Sequence, residues 1–134
     1  MRGAVQIGKV GELLAQAIFE SFGYKTALVN HEGFDLIVLD DDSNSYRVEV
    51  KAASNQDGKS RRYNFMTSRG SRQKRIITDD DADIICYVAL DTRRIVVRCV
   101  RTITKKKTKV SCCEFEVDEN AQIRRAFTEV KKRR

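Results

Sequence analysis

From Gly8 to Phe22 the apolar residues Val10, Leu13, Leu14, Ala17, Ile18 and Phe22 recur at intervals of three and four, the spacing that lines one side of a helix. Gly23 follows and ends it. Tyr24 to Val29 reads as a short strand, and after a polar loop at 30–33 the run Phe34 to Leu39 reads as a second. The segment Asp40 to Ser45 is built of residues that favour turns, and beyond it Tyr46 to Ala53 alternates in the manner of a third strand. The two arms are therefore expected to fold back antiparallel as a hairpin.

Residues 54 to 78 break the apolar pattern, with Tyr63 to Thr67 suited to a strand and 71 to 77 to a short helix. Ile84 to Leu90 is a continuous apolar run, and Ile95 to Val100 follows after the turn 91–94. Together they predict a second hairpin, buried at its first arm. The lysine cluster at 105–109 interrupts the pattern, Val110 to Val117 suits another strand, and Glu119 to Lys131 a final helix before a basic tail. Helix, hairpin, hairpin, helix is the order expected of an α/β or α+β chain around one mixed sheet.

Asp35, Glu49 and Lys51 are charged residues set among the apolar strands of the first hairpin. Side chains alternate along a strand, so Val48, Val50 and Ala52 face one way while Glu49 and Lys51 face the other. A fold-back centred on residue 42 pairs Asp35 with Glu49, and one centred on 43 pairs it with Lys51. Either register gathers two acids and a lysine on one sheet face, where buried charge demands a partner or a metal. Converging carboxylates repel unless a cation lies between them, and hard oxygen donors suit Mg²⁺ or Mn²⁺. The other reading is an exposed face on which Glu49 and Lys51 form a surface pair.

Length and charge narrow the partners. A chain of 134 residues suits one domain over 1–134 with a single core. The formal net charge of +7 favours a polyanion, and nucleic acid first. No stretch reaches the ~20 apolar residues of a membrane span, and no signal segment opens the chain, so a soluble, cytoplasmic protein without a membrane partner is expected. Cys86, Cys99, Cys112 and Cys113 have neither zinc-ligand nor disulfide-framework spacing and read as reduced, small apolar side chains. Between Lys59 and Arg75 lie Lys59, Arg61, Arg62, Arg69, Arg72, Lys74 and Arg75 without one acid. Interleaved with Tyr63 and Phe65, they suit a phosphate-tracking surface.

The sequence Gly8-Lys9-Val10-Gly11-Glu12, the stretch Gly33-Phe34-Asp35-Leu36-Ile37 and the triplet Glu49-Val50-Lys51 together resemble the PD-(D/E)XK nuclease superfamily. The pattern is most similar to its small single-domain members, the archaeal Holliday junction resolvases and the group I intron homing endonucleases of this fold. Phe34 stands where the superfamily's name has proline. The resemblance implies an α/β, restriction-endonuclease-like mixed β-sheet flanked by helices. It also implies a Mg²⁺-dependent (or Mn²⁺-dependent) endodeoxyribonuclease, with Asp35 and Glu49 as metal ligands, Lys51 acting on water and phosphate charge, and Glu12 assisting from the helix.

Periodicity by itself sets Glu12 nearly opposite the apolar stripe, facing solvent. His31 in the loop before Asp35 and Gln73 after the basic strand are further polar candidates without an assigned role. The substrate expectation leans to Holliday junctions or other branched DNA, with a specific duplex site as the alternative and noncatalytic nucleic-acid binding as the rival class. A chain this short is expected to act on two strands as a homodimer or homotetramer.

Overall fold

The computed structural model describes residues 3–29, 33–70 and 73–134. It begins with helix α1 (Ala4–Ser21), strand β1 (Lys25–Leu28), β2 (Leu36–Leu39) and β3 (Ser45–Ala53). Next come β4 (Arg62–Met66), β5 (Ser68–Arg69), β6 (Arg75–Ile76), β7 (Ile84–Ala89) and β8 (Arg94–Cys99). Strand β9 (Lys107–Ser111) and helix α2 (Glu119–Lys131) complete the chain.

A five-stranded sheet in the order β1-β2-β3-β7-β8 forms the centre. All its pairs are antiparallel except β3 with β7, so it is mixed, and helices flank it. Because β3 and β7 run parallel, the chain between them must cross over one face of the sheet. That crossover carries β4, β5 and β6 in place of the usual helix.

The alternation of the central strands sorts two cores onto two faces. On one face Leu36, Val38, Tyr46, Val48, Ile84 and Cys86 meet Ala15 and Phe19 of α1 and Ile123 and Phe127 of α2. Tyr46 stacks on Phe127 with ring centroids 3.9 Å apart, and Tyr24 meets the same ring edge-on at 5.2 Å. On the other face Ile85, Tyr87 and Val96 are covered by Tyr63, Phe65 and Val110 from a two-stranded ribbon of β4 and β9, together with Phe115. Glu49 pairs in register with Ile85 and Lys51 with Tyr87, so the charged residues of β3 share this second face.

The hairpin turn resolves the register left open by sequence. Asp40 accepts hydrogen bonds from the backbone N–H of Asp42 (3.0 Å) and Asn44 (2.9 Å), and Ser43 adopts a left-handed φ of 65°. Leu36 then lies opposite Val48 and Ile37 opposite Arg47. Continued by one residue, that register sets Asp35 against Glu49.

Three expectations are corrected. Helix α1 buries Gly11, Ala15 and Phe19, while Leu13 stays 47% exposed. The helix is thus rotated away from Leu13 and Phe22 and towards Gly11, with Phe19 on the buried side. Gly11 explains the rotation, since a Cβ there would stand 2.6 Å from the Cβ of Ala52 on β3, a distance only a hydrogen side chain tolerates. The short helix expected at 71–77 is instead, where described, strand β6 paired with β5. The strand expected at 110–117 begins earlier, at Lys107, and gives way at Cys112 to a 3-10 turn capped reciprocally by Ser111 and Glu114. Lys107 and Lys109 are consequently strand residues and no interruption.

The close contact of α1 with β3 predicts a measurable coupling. Gly11→Ala should destabilise the protein by ~1–2 kcal/mol, overpacking outweighing the gain in helix propensity. Adding Ala52→Gly vacates the same space, so denaturant titration should find the double variant less destabilised than the sum of the single losses. Strict additivity would show that the helix does not rest on this contact.

Candidate active site

Asp35 sits immediately before β2 and is fastened to both neighbouring strands. Its backbone N–H donates to the Val48 carbonyl at 2.9 Å, and its carbonyl accepts from the Val29 N–H at 2.8 Å. One carboxylate oxygen accepts from the Val50 N–H of β3 at 2.8 Å. The side chain is therefore aimed along β3 at the position where Glu49 projects.

Glu49 is 6% exposed. That burial rules out the simple surface pair and pushes the carboxyl up to about 8, helped by a hydrogen bond with Asp35 and by its negative charge. Lys51 and Arg69 pull in the other direction and are outweighed. Lys51, two residues on and half-buried, lies on the same side of β3. Glu12 is half-buried as well, and burial first, then the charge of Asp35, raise its carboxyl against the opposing effect of Lys9. The close seating of Gly11 turns Glu12 inward, where the apolar stripe alone would leave it in solvent. The charge of Asp35 thus acts on Glu12 on one side and on Glu49 on the other, and Lys51 acts on Glu49.

Arg69 reaches Glu49 from β5. Its guanidinium donates to a Glu49 carboxylate oxygen and to the Gly33 carbonyl. Its Nε lies 3.8 Å from Asp81 and has no hydrogen-bond partner. Asp81 is gripped by Arg75 through two 2.8 Å hydrogen bonds, which chiefly account for its carboxyl being held down to about 2. Asp79 and Asp83 of that turn are also engaged. Arg101 pairs with Asp79, while Arg47 pairs with Asp83 and donates to the Asp79 and Asp80 carbonyls. Arg47 was not singled out by sequence, although its place in the alternation Arg47, Glu49, Lys51 marks it for the same face.

The basic segment is accordingly divided by the fold. Lys59, Arg61, Arg62 and Lys74 are exposed. Arg69 is turned towards Glu49, and Arg75 towards Asp81. Gln73 is exposed, and Gly70 with a φ of 102° packs so tightly on the Gln73 carbonyl that a Cβ would lie 2.4 Å from it. Arg72 and His31 lie outside the described residues.

Among the described residues no three His, Cys, Asp or Glu side chains gather around one metal position. Asp35 and Glu49 nevertheless fit Mg²⁺, which is held through one or two carboxylates and keeps several of its waters. A hollow of about 320 Å³ between β8 and α2, bordered by Val97, Arg98 and Gln122, includes none of the four residues.

No protein-family model matches the chain, and no curated protein sequence matches it. Among solved structures it is similar to I-Ssp6803I, described as a bacterial homing endonuclease, with a TM-score of 0.70. The two are 14% identical, and the likeness covers 81% of this chain and 78% of that one. At that identity the likeness shows a common fold, the mixed sheet flanked by helices.

Proposed function

We propose that this chain is a metal-dependent DNA endonuclease of the PD-(D/E)XK type. The observation that carries the reading is the buried Glu49 set against Asp35, with Lys51 two residues on along the same strand. Two acids forced together off solvent are costly unless a cation is to be shared between them. Asp35 and Glu49 would hold Mg²⁺ or Mn²⁺, which when bound supplies a Lewis acid for phosphate oxygens and lowers the pKa of water. The likeness in fold to a homing endonuclease supports the same class.

Each residue has a task derived from its placement. The Val50 N–H holds one oxygen of Asp35 and fixes the carboxylate's direction. Glu49 must give up its proton to act as a ligand, and Lys51 and Arg69 favour that loss. Lys51 presents a compact positive charge to the scissile phosphate, and Glu12 adds a carboxylate from the helix side. The exposed cations Lys59, Arg61 and Lys74 supply attraction to the DNA backbone that does not depend on sequence.

Cleavage of both strands of a duplex requires two such sites, so a homodimer or homotetramer is the working assembly, measurable by light scattering. The reading is tested by incubating purified protein and Mg²⁺ with supercoiled plasmid, a four-way junction and RNA. Nicking or linearisation of DNA is expected, and Lys51→Met should slow it ~10²-fold, the scale of losing one electrostatic contact in the transition state. Binding without cleavage of any substrate would leave a noncatalytic nucleic-acid-binding protein. Preference for the junction over linear duplex would identify branched DNA as the substrate.

A further inference from the structure

Strands β4 and β9 form a two-stranded antiparallel ribbon with the register Arg62 to Ser111, Asn64 to Lys109 and Met66 to Lys107. Its inner face is apolar and anchored: Tyr63 and Phe65 are each 2% exposed and Val110 is fully buried against the central sheet. Its outer face presents Arg62, Asn64, Met66, Lys107 and Lys109, all exposed, with no acid among them. Among the described residues no ion pair involves Arg62, Lys107 or Lys109. On neighbouring strands and turns Arg47, Arg69, Arg75, Arg98 and Arg101, by contrast, pair with carboxylates. The ribbon's cations are left for a partner outside the fold.

We propose that the outer face of the β4–β9 ribbon enters the major groove of duplex DNA and reads base edges there. The inference rests on the endonuclease reading above and deepens it by naming the recognition element and the form of substrate. Dimensions support the fit, since the major groove is ~12 Å wide and admits a two-stranded ribbon. Alternate residues on a strand stand ~6.8 Å apart, close to two base steps of the duplex, so Arg62 and Asn64 can address bases two apart. Arginine matches the paired acceptors of guanine, asparagine matches the acceptor and donor of adenine, and the exposed Met66 offers an apolar surface to a thymine methyl. Lys107 and Lys109, opposite them in register, suit the flanking phosphates. Charge also argues against a second copy of this chain on the ribbon, because its cationic face would meet itself.

The test uses full-length protein in Ca²⁺ with a pool of 30-base-pair duplexes randomised at the centre, selected for binding and sequenced. The wild type should enrich a defined motif. Asn64→Ala and Arg62→Ala should each lose preference at one position by about 10- to 100-fold, while unselected duplexes are still bound. Lys107→Ala with Lys109→Ala should weaken every duplex and reduce the salt slope by ~1.8 in total, since each lost phosphate contact removes ~0.9. Replacing purines of the motif with 7-deazapurines removes the major-groove N7 acceptor. It should weaken the wild type and leave the Arg62→Ala, Asn64→Ala double variant unmoved.

Selected motifs identical in wild type and both ribbon variants would overturn the proposal and leave the endonuclease reading standing. Enrichment of no motif, or a salt slope lost only on a four-way junction, would overturn it as well. Failure to bind or cut any DNA would instead remove the reading on which it rests.

Discussion

Asp35→Asn and Glu49→Gln should each reduce Mg²⁺-supported plasmid cleavage by ~10³-fold or more, about 4 kcal/mol of transition-state stabilisation. Both substitutions keep the side chain's shape, so the hydrogen bond from the Val50 N–H to residue 35 and the burial of residue 49 are preserved. What is lost is the negative charge that seats a divalent cation. Binding to a duplex should persist, because the exposed cations of the ribbon and its surroundings are untouched. Single-turnover rates alongside anisotropy titrations separate the two effects. Cleavage at the wild-type rate in either variant would end the metal-site reading.

Glu49 should also make the metal-free protein less stable as pH rises. In the folded chain its carboxyl keeps a proton up to about 8, whereas the unfolded chain releases it near the ordinary value of 4.5. Between these values the native state binds more protons than the unfolded state, so stability falls with increasing pH. The limiting slope is ~1.4 kcal/mol per pH unit. Above pH 8 both states are ionised and the slope vanishes. Asp81, held down to about 2 by Arg75, contributes in the opposite sense and only at much lower pH. Urea midpoints of wild type and Glu49→Gln should therefore converge near pH 4.5 and separate towards pH 8, with the variant the more stable. Added Mn²⁺ should narrow the gap by favouring the ionised carboxyl. Parallel curves across this range would mean that burial does not hold the proton on Glu49.

Much of the chain was legible from short-range pattern. The final helix at Glu119–Lys131, the apolar runs of β7 and β8 and the turn at 40–45 lie where the sequence reading put them. Asp35, Glu49 and Lys51 were visible for a related reason, because a charged side chain inside an alternating apolar strand stands out against its background.

Glu12 was not legible from periodicity. A hydrophobic stripe predicts the buried side of a helix only when burial follows side-chain size. At α1 it follows the fit of Gly11 onto Ala52, a contact between residues far apart in the chain. The division of the basic segment was hidden for the same kind of reason. Whether an arginine meets DNA or a carboxylate depends on which acids the fold carries to it, and Asp81 reaches Arg75 and Arg69 only through the turn between β6 and β7. The ribbon was hidden most fully, since strands β5 to β8 lie between β4 and β9 in the chain and their pairing has no local signal.

By itself, then, the amino-acid sequence determined the two long helices and most of the strands, the turn that leaves two registers for Asp35, and the positive charge that calls for a polyanion. Tertiary structure decided which register is taken, which face of α1 is buried, and which cations stay unpaired. The physical reason is range: backbone periodicity and turn chemistry act over a few residues, whereas burial and charge pairing are set by neighbours that only the folded chain brings together.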